Sequence, residues 1–265
     1  MSEHDHNHEV LAPTPGERAL NYVKKKEVII PILLGTFFTA IFAVLGAHFY
    51  PEWMPEEMSK DMTAIEKLMQ VFTYISAPVC GVVLGVATYT FMKRKTGDVP
   101  PEDGPAIRTN GPVVIVWTVV SSILALIAVV YGIVELNVGA QAAVADSKNA
   151  MVVNVVGNQW VWNFEYPAQG VNSNILELPV NQPVVFHVVS KDVNHSFWPV
   201  QLGVKVDANR IAETIAETTP TKLGNFDVKC AELCGIYHAY METYGKVVTA
   251  EEFNNWITSN GGHVA

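Results

Sequence analysis

Three stretches of this chain, Val28–Pro51, Leu68–Met92 and Thr109–Val134, contain no Asp, Glu, Lys or Arg. A helix crosses the ~30 Å hydrocarbon layer with about 20 apolar residues, so each stretch is long enough to be a membrane span. Spans are expected at about 28–50, 69–92 and 111–134, after a tail over residues 1–27 and within a membrane region over 28–137. Residues 138–265 are left as a domain of about 120 residues, an ordinary size. Composition agrees with this division. A chain of 265 residues that is 49% hydrophobic and 16% charged, with mean hydropathy +0.21, is too apolar for one soluble domain and too polar for a pure membrane bundle.

Basic residues set the orientation. Lys24, Lys25 and Lys26 precede the first span and Lys93, Arg94 and Lys95 follow the second, so both clusters belong in the cytoplasm. Between them, "PEWMPEEMSKDMTAIEK" holds five acids against two lysines and suits the outer face. Three spans then deliver the C-terminal domain outside. The alternative for the first span is a cleaved signal peptide. Its apolar run is longer than an h-region and "AVLGAH" is a poor cleavage site, so a retained helix is expected. No span carries the acidic or basic side chain that a proton path usually needs, so the chain alone is not expected to pump or conduct ions. Cys80, in the second span, reads as a small buried hydrophobe. The absence of a CxxCH motif argues against covalently attached haem.

The C-terminal part reads as β. "MVVNVVGNQWVWNFEY" (151–166) opens with β-branched residues and becomes aromatic, and "QPVVFHVVS" (182–190) and "GKVVTA" (245–250) have the same character. Short strands punctuated by Gly, Pro, Asn and Asp predict a sandwich or barrel. Trp160, Trp162, Phe164 and Tyr166 alternate and are expected to share one strand face. "TAEEFNNWI" is expected to close the domain as a helix, with Thr249 as N-cap and Glu252 three places on. His187 reads as a structural strand residue. The "SEHDHNHE" tail reads as disordered, with His4, His6 and His8 offering only a weak hold on a metal.

"KCAELCGIYHAYM" (229–241) concentrates the chemistry. Cys230, Cys234, His238 and Met241 would share a face if the segment were helical, but Gly235 interrupts it. A disulfide between the two cysteines would close a tiny loop and stabilise little. Structural zinc takes four Cys and His ligands, which His195 could complete, yet it leaves Met241 without a role. Thioether sulfur suits copper. Mononuclear blue copper uses one thiolate, and here there are two. Two thiolates, two imidazoles, a thioether and a carbonyl fit a binuclear copper centre in which the thiolates bridge.

"CAELCGIYHAYM" matches C-x-E-x-C-x3-H-x2-M and resembles the copper A (CuA) loop of cytochrome c oxidase subunit II. "GNQWVWNFEY" is similar to that family's aromatic segment, and "DVNHSFWPVQLGVKVDANR" to its His-Ser … Gly-x-Lys-x-Asp-Ala stretch. "KRKTGDVPPED" followed by "NGPVVIVWTVV" resembles the linker between its membrane helices. The likeness runs from about residue 65 to 258. It implies an all-β cupredoxin-like Greek-key barrel behind the three-helix anchor. By the same resemblance one copper takes His195 and Met241, the other takes His238 and the Glu232 carbonyl, and Cys230 and Cys234 bridge both. The Glu232 side chain would then face the catalytic subunit at a magnesium site, and Trp160 would be the surface tryptophan through which donor electrons enter. The sequence also departs from the family. Asn158 stands where the family has His, Pro-Gly is missing between Asp207 and Arg210, and the first span has no counterpart in the mature two-helix form.

The resemblance implies the copper-bearing subunit of a haem–copper terminal oxidase in a prokaryotic plasma membrane. Such a chain takes electrons from soluble cytochrome c or another small carrier and passes them to haem in catalytic subunit I. Oxygen reduction and proton translocation belong to the complex with its other subunits. Membrane lipid surrounds the anchor, and nothing points to nucleic acid. Residues 140–265 carry twelve acids and seven bases, a net charge of −5 that suits a basic donor, with Asp207 expected on the docking surface. The alternatives are the copper subunit of a nitric oxide reductase and a membrane-anchored copper carrier or assembly protein.

Overall fold

The computed structural model describes residues 26–93, 110–146 and 149–264. The histidine-rich tail, Lys24, Lys25, Arg94 and Lys95 lie outside them. Three long helices come first: α1 (Lys26–Trp53), α2 (Lys60–Met92) and α3 (Gly111–Asp146). Segments Val28–Trp53, Lys60–Met92 and Gly111–Val134 are long and apolar enough to cross a membrane. Helix α2 begins well before the uncharged run that announced it. The Ser59 hydroxyl accepts from the Met62 N–H at 3.0 Å, an N-cap that starts the helix among polar residues.

The chain divides into two compact units. The first holds Met1–Trp53 and Gln70–Asp103, in which α1 packs on the later part of α2. Glycines make the approach. A Cβ on Gly81 would lie 2.7 Å from the Gly35 carbonyl oxygen, and one on Gly85 would lie 2.5 Å from the Gly35 nitrogen. Only the missing side chains let the two backbones come so close, the usual device of helix pairs in lipid.

The second unit holds Met54–Met69 and Gly104–Ala265. Its centre is a pair of five-stranded sheets. One has the order β3 (Val171–Ser173), β2 (Val161–Tyr166), β1 (Met151–Asn158), β5 (Val184–Ser190), β8 (Thr214–Thr218). The other runs β4 (Leu176–Pro179), β10 (Glu242–Val248), β9 (Gly224–Cys230), β6 (His195–Pro199), β7 (Val206–Ala208). The chain changes sheet after β3, β4, β5, β7 and β8, and the parallel pairs β1–β5 and β4–β10 result from these crossings. This is the cupredoxin-like Greek-key domain expected. Trp162, Phe164, Tyr166, Phe186, Phe197 and Phe226 fill the space between the sheets and are almost wholly buried.

Trp160 departs from the expected pattern. Asn158 pairs with Val161, so Gln159 and Trp160 form the two-residue turn between β1 and β2, and only Trp162, Phe164 and Tyr166 share the inward face. The closing helix α4 (Ala250–Ser259) is as expected, with the Thr249 hydroxyl accepting from the Glu252 N–H and the Glu252 carboxylate accepting from the Thr249 N–H.

The second unit also takes in a segment that the sequence placed in the membrane region. The Met58 N–H donates to the Gln201 carbonyl at 3.1 Å, and the Thr221 N–H donates to the Met58 carbonyl at 2.8 Å. The Ser59 hydroxyl donates to the Leu202 carbonyl at 2.7 Å, and the Thr218 hydroxyl donates to Asp61 at 2.8 Å. Met58 is fully buried in the sandwich core. Gly203, at φ +67°, leaves room for the first turn of α2, since a Cβ there would sit 2.7 Å from the Met62 nitrogen.

Candidate metal centre

Two adjacent strands present the ligands. Strand β6 opens with His195 and β9 ends with Cys230, with Phe197 opposite Cys230 in the antiparallel register. The Ala231 N–H donates to the Ser196 carbonyl, and the Cys230 N–H to the Met241 carbonyl at 3.1 Å, so the loop leaves and rejoins the sheet at one place. Gly235 sits at φ +125° and a short 3-10 turn spans His238–Tyr240. Residues 230–241 are therefore a loop folded back on itself, which brings its ligands together, whereas a helix would string them along a face.

The donors converge. The two thiol sulfurs are 3.8 Å apart and unbonded. Cys230 Sγ lies 3.8 Å from His195 Nδ1 and 3.2 Å from the Glu232 carbonyl oxygen. Cys234 Sγ lies 3.5 Å from His238 Nδ1 and 3.7 Å from Met241 Sδ. Among the described residues, the His195, Cys230 and Cys234 ligand atoms form a group within 4.8 Å of one another. His195, Cys234 and Met241 are buried, while Cys230 and His238 are half-buried. Burial, and then the neighbouring Cys230 thiol, push the Cys234 thiol up to about 12. A cation between the sulfurs reverses that preference, because thiolate is the metal-binding form and binding expels the proton. The donor set fits copper. It has two soft sulfurs 3.8 Å apart, an imidazole nitrogen near each, and a thioether and a carbonyl oxygen close by.

Three residues that the sequence reading passed over support the ligands. Asp192 Oδ1 lies 2.8 Å from His195 Nε2, which orients the imidazole so that Nδ1 faces the sulfurs. Burial acts to raise the Asp192 carboxyl, but hydrogen bonds from the Gln159 N–H, His195 and the Val193 N–H outweigh it and hold the group below its ordinary value. Gln159 donates its side-chain N–H to the Cys234 carbonyl at 2.7 Å. Gly157 leaves space for the imidazole, because a Cβ there would sit 3.1 Å from His195 Cδ2. The Asp-x-x-His spacing was a usable signal for Asp192, and the other two had none.

The remaining site residues are placed as follows. Trp160 is half-buried with its ring edge-on to Tyr237 at 4.7 Å. The Glu232 side chain and Asp207 are exposed, Asp207 on β7. Asn158 ends β1. His187 pairs with Glu213 at 2.7 Å on the outer face of β5. Cys80 is exposed on α2, where burial was expected.

Residues 169–248 match the family described as cytochrome c oxidase subunit II, periplasmic domain, and that span holds every proposed copper ligand. Cytochrome c oxidase subunit 2 of Synechocystis sp. is 28% identical, over 88% of this chain and 82% of the relative. The subunit 2 of Thermostichus vulcanus is 40% identical over 48% of this chain and 38% of its own length. That of Bacillus subtilis is 32% identical over 74% and 57%. The chain is thus similar to cytochrome c oxidase subunit II over most of its length, with that family's periplasmic domain at residues 169–248. It is a subunit of a haem–copper oxidase, with membrane-spanning helices and a cupredoxin-like domain that holds a candidate copper site. The crystal structure of the periplasmic domain of subunit II of cytochrome oxidase from Bradyrhizobium japonicum is 28% identical with TM-score 0.40, over 42% of this chain and 93% of that one. The chain spans well under two thirds of two of the three subunit II relatives above.

Proposed function

We propose that this chain is the electron-accepting subunit of a terminal respiratory oxidase. A soluble donor such as cytochrome c would deliver electrons at Trp160, and a binuclear CuA centre held by this chain would supply the one-electron relay to haem in the catalytic subunit, where oxygen is reduced. The observation that carries this reading is the pair of thiols 3.8 Å apart, each with its own imidazole nitrogen within 3.8 Å. Copper held there would supply a one-electron couple with charge spread over soft bridging ligands. The chain's own residues do the rest. Cys230 and Cys234 would be shared by the two metals, His195 and Met241 would hold one, and His238 with the Glu232 carbonyl would hold the other. Buried His195, Cys234 and Met241 exclude water and favour a relay over a carrier that must release its metal.

The exposed Glu232 carboxylate is free to serve magnesium where this chain meets the catalytic subunit. The N-terminus lies in the cytoplasm and the copper domain on the outer face of a prokaryotic plasma membrane. Packing of Met58 and Ser59 into the β unit supports this, since a connector held by the C-terminal domain suits a common side of the membrane. The uncharged spans leave proton translocation to the partner subunit.

The test is the full chain loaded with copper in detergent. It should be purple, hold two coppers per chain and show one unpaired electron shared between two nuclei. Cys230→Ser should abolish that signal, because a hydroxyl cannot replace a bridging thiolate. A colourless chain with one zinc would overturn the reading.

A further inference from the structure

We infer that Gln159 is a positioning residue that locks the copper loop and the Trp160 turn into one unit. The inference rests on the electron-transfer reading above. Gln159 is the first residue of the β1–β2 turn and directly precedes Trp160. Its backbone N–H donates to Asp192 Oδ2 at 2.8 Å, and the other oxygen of that carboxylate lies 2.8 Å from His195 Nε2. Its side-chain N–H donates to the Cys234 carbonyl at 2.7 Å. One residue therefore ties the turn to a ligand on β6 and to a ligand in the loop.

The peptide it holds is the one that most needs holding. The Cys234 carbonyl belongs to the bond that leads into Gly235, whose φ of +125° is open to glycine and to few other residues. A Cβ at Gly235 would meet Gln159 Nε2 at 3.1 Å and Trp160 Cζ2 at 3.3 Å, so amide and indole both rest on that turn. Tyr237, two residues on, closes against the Trp160 ring. Without the Gln159 donor the Cys234–Gly235 peptide can rotate, which shifts the Cys234 sulfur and loosens the Trp160 contact together. A docking contact for the soluble donor is the rival role for this exposed side chain.

Gln159→Met and Gln159→Glu keep the length of the side chain and remove the N–H donor. Both should be prepared as the copper-loaded full chain in detergent. Copper loss to the Cu(I) chelator bathocuproine disulfonate should accelerate roughly three- to tenfold in both, the range expected when one net hydrogen bond is lost. The copper hyperfine pattern should change in both. Reduction by reduced cytochrome c should slow at saturation, with half-saturation unchanged. The melting temperature should fall by no more than a few degrees, the scale of one lost hydrogen bond. Wild-type chelation rates and hyperfine pattern in both variants would overturn the inference, and a raised half-saturation alone would assign Gln159 to docking. A wild-type chain that takes up no copper would overturn this inference together with the proposed function.

Discussion

Trp160 and Trp162 stand two residues apart and have opposite surroundings. Trp162 points between the sheets, 6.0 Å from the His195 ring, and is 1% exposed. Trp160 lies in the turn against Gly235 and Tyr237. Trp160→Phe should slow reduction by cytochrome c by about a hundredfold, the scale of loss when a reacting group is slightly misplaced. The copper spectrum and the fold should be unchanged, and stopped-flow reduction checks both. Asp207→Asn should act more weakly, on association alone, and should fade as salt approaches physiological strength, where the screening length is about 8 Å. Normal reduction of the Trp160→Phe chain would move electron acceptance to another residue. Period-two alternation could not separate the two tryptophans, because it does not say where the hairpin closes.

At the scale of elements, the connector between α1 and α2 has become part of the β domain. Met58 is fully buried among sandwich residues, so Met58→Ala should lower the unfolding free energy of the domain by about 2–5 kcal/mol, measured by denaturant titration. Leu223→Ala, at a 52% exposed position nearby in sequence, should change it by about 0.5 kcal/mol or less. Helix α4 carries a pH dependence. The Thr249 N–H and then its hydroxyl hold the Glu252 carboxyl below its ordinary value. A depressed carboxyl stabilises the fold above its unfolded pKa, and that contribution is lost as pH falls through the lower folded value. The melting temperature of Glu252→Ala should therefore lie below wild type at neutral pH, and the gap should close on acidification below about pH 4. Thr249 and Glu252 were visible in the sequence because a capping box is local. The connector was not, because its partners Gln201, Leu202 and Thr218 lie more than a hundred residues away.

For the whole molecule the question is which side of the membrane each part occupies. A reporter fused after Lys95 should be active only in the cytoplasm, and one fused after Ala265 only outside. Retention of the first helix would keep the contact of α1 with Gly81 and Gly85, which would be lost if the chain were cut near His48. Sequencing the mature N-terminus decides that point: a start near His48 would mean a cleaved signal peptide. The acidic connector and the net charge of the C-terminal part could both be counted from the sequence. That the connector packs into the β unit emerged only from the contacts of Met58.

The sequence by itself determined the three spans, the β character of the C-terminal part and the types of ligand. These follow from charge-free length, strand periodicity and the donor chemistry of Cys, His and Met, all of which are local. Tertiary structure decided which donors meet. His195 reaches Cys230 across 35 residues because β6 and β9 are neighbours in register, and Gln159 reaches Cys234 across 75. It also moved Met54–Met69 into the β unit and Trp160 off its strand. A hydrophobic or polar pattern reports that a face is covered, but what covers it depends on strand order and register, which are settled by packing over the whole chain.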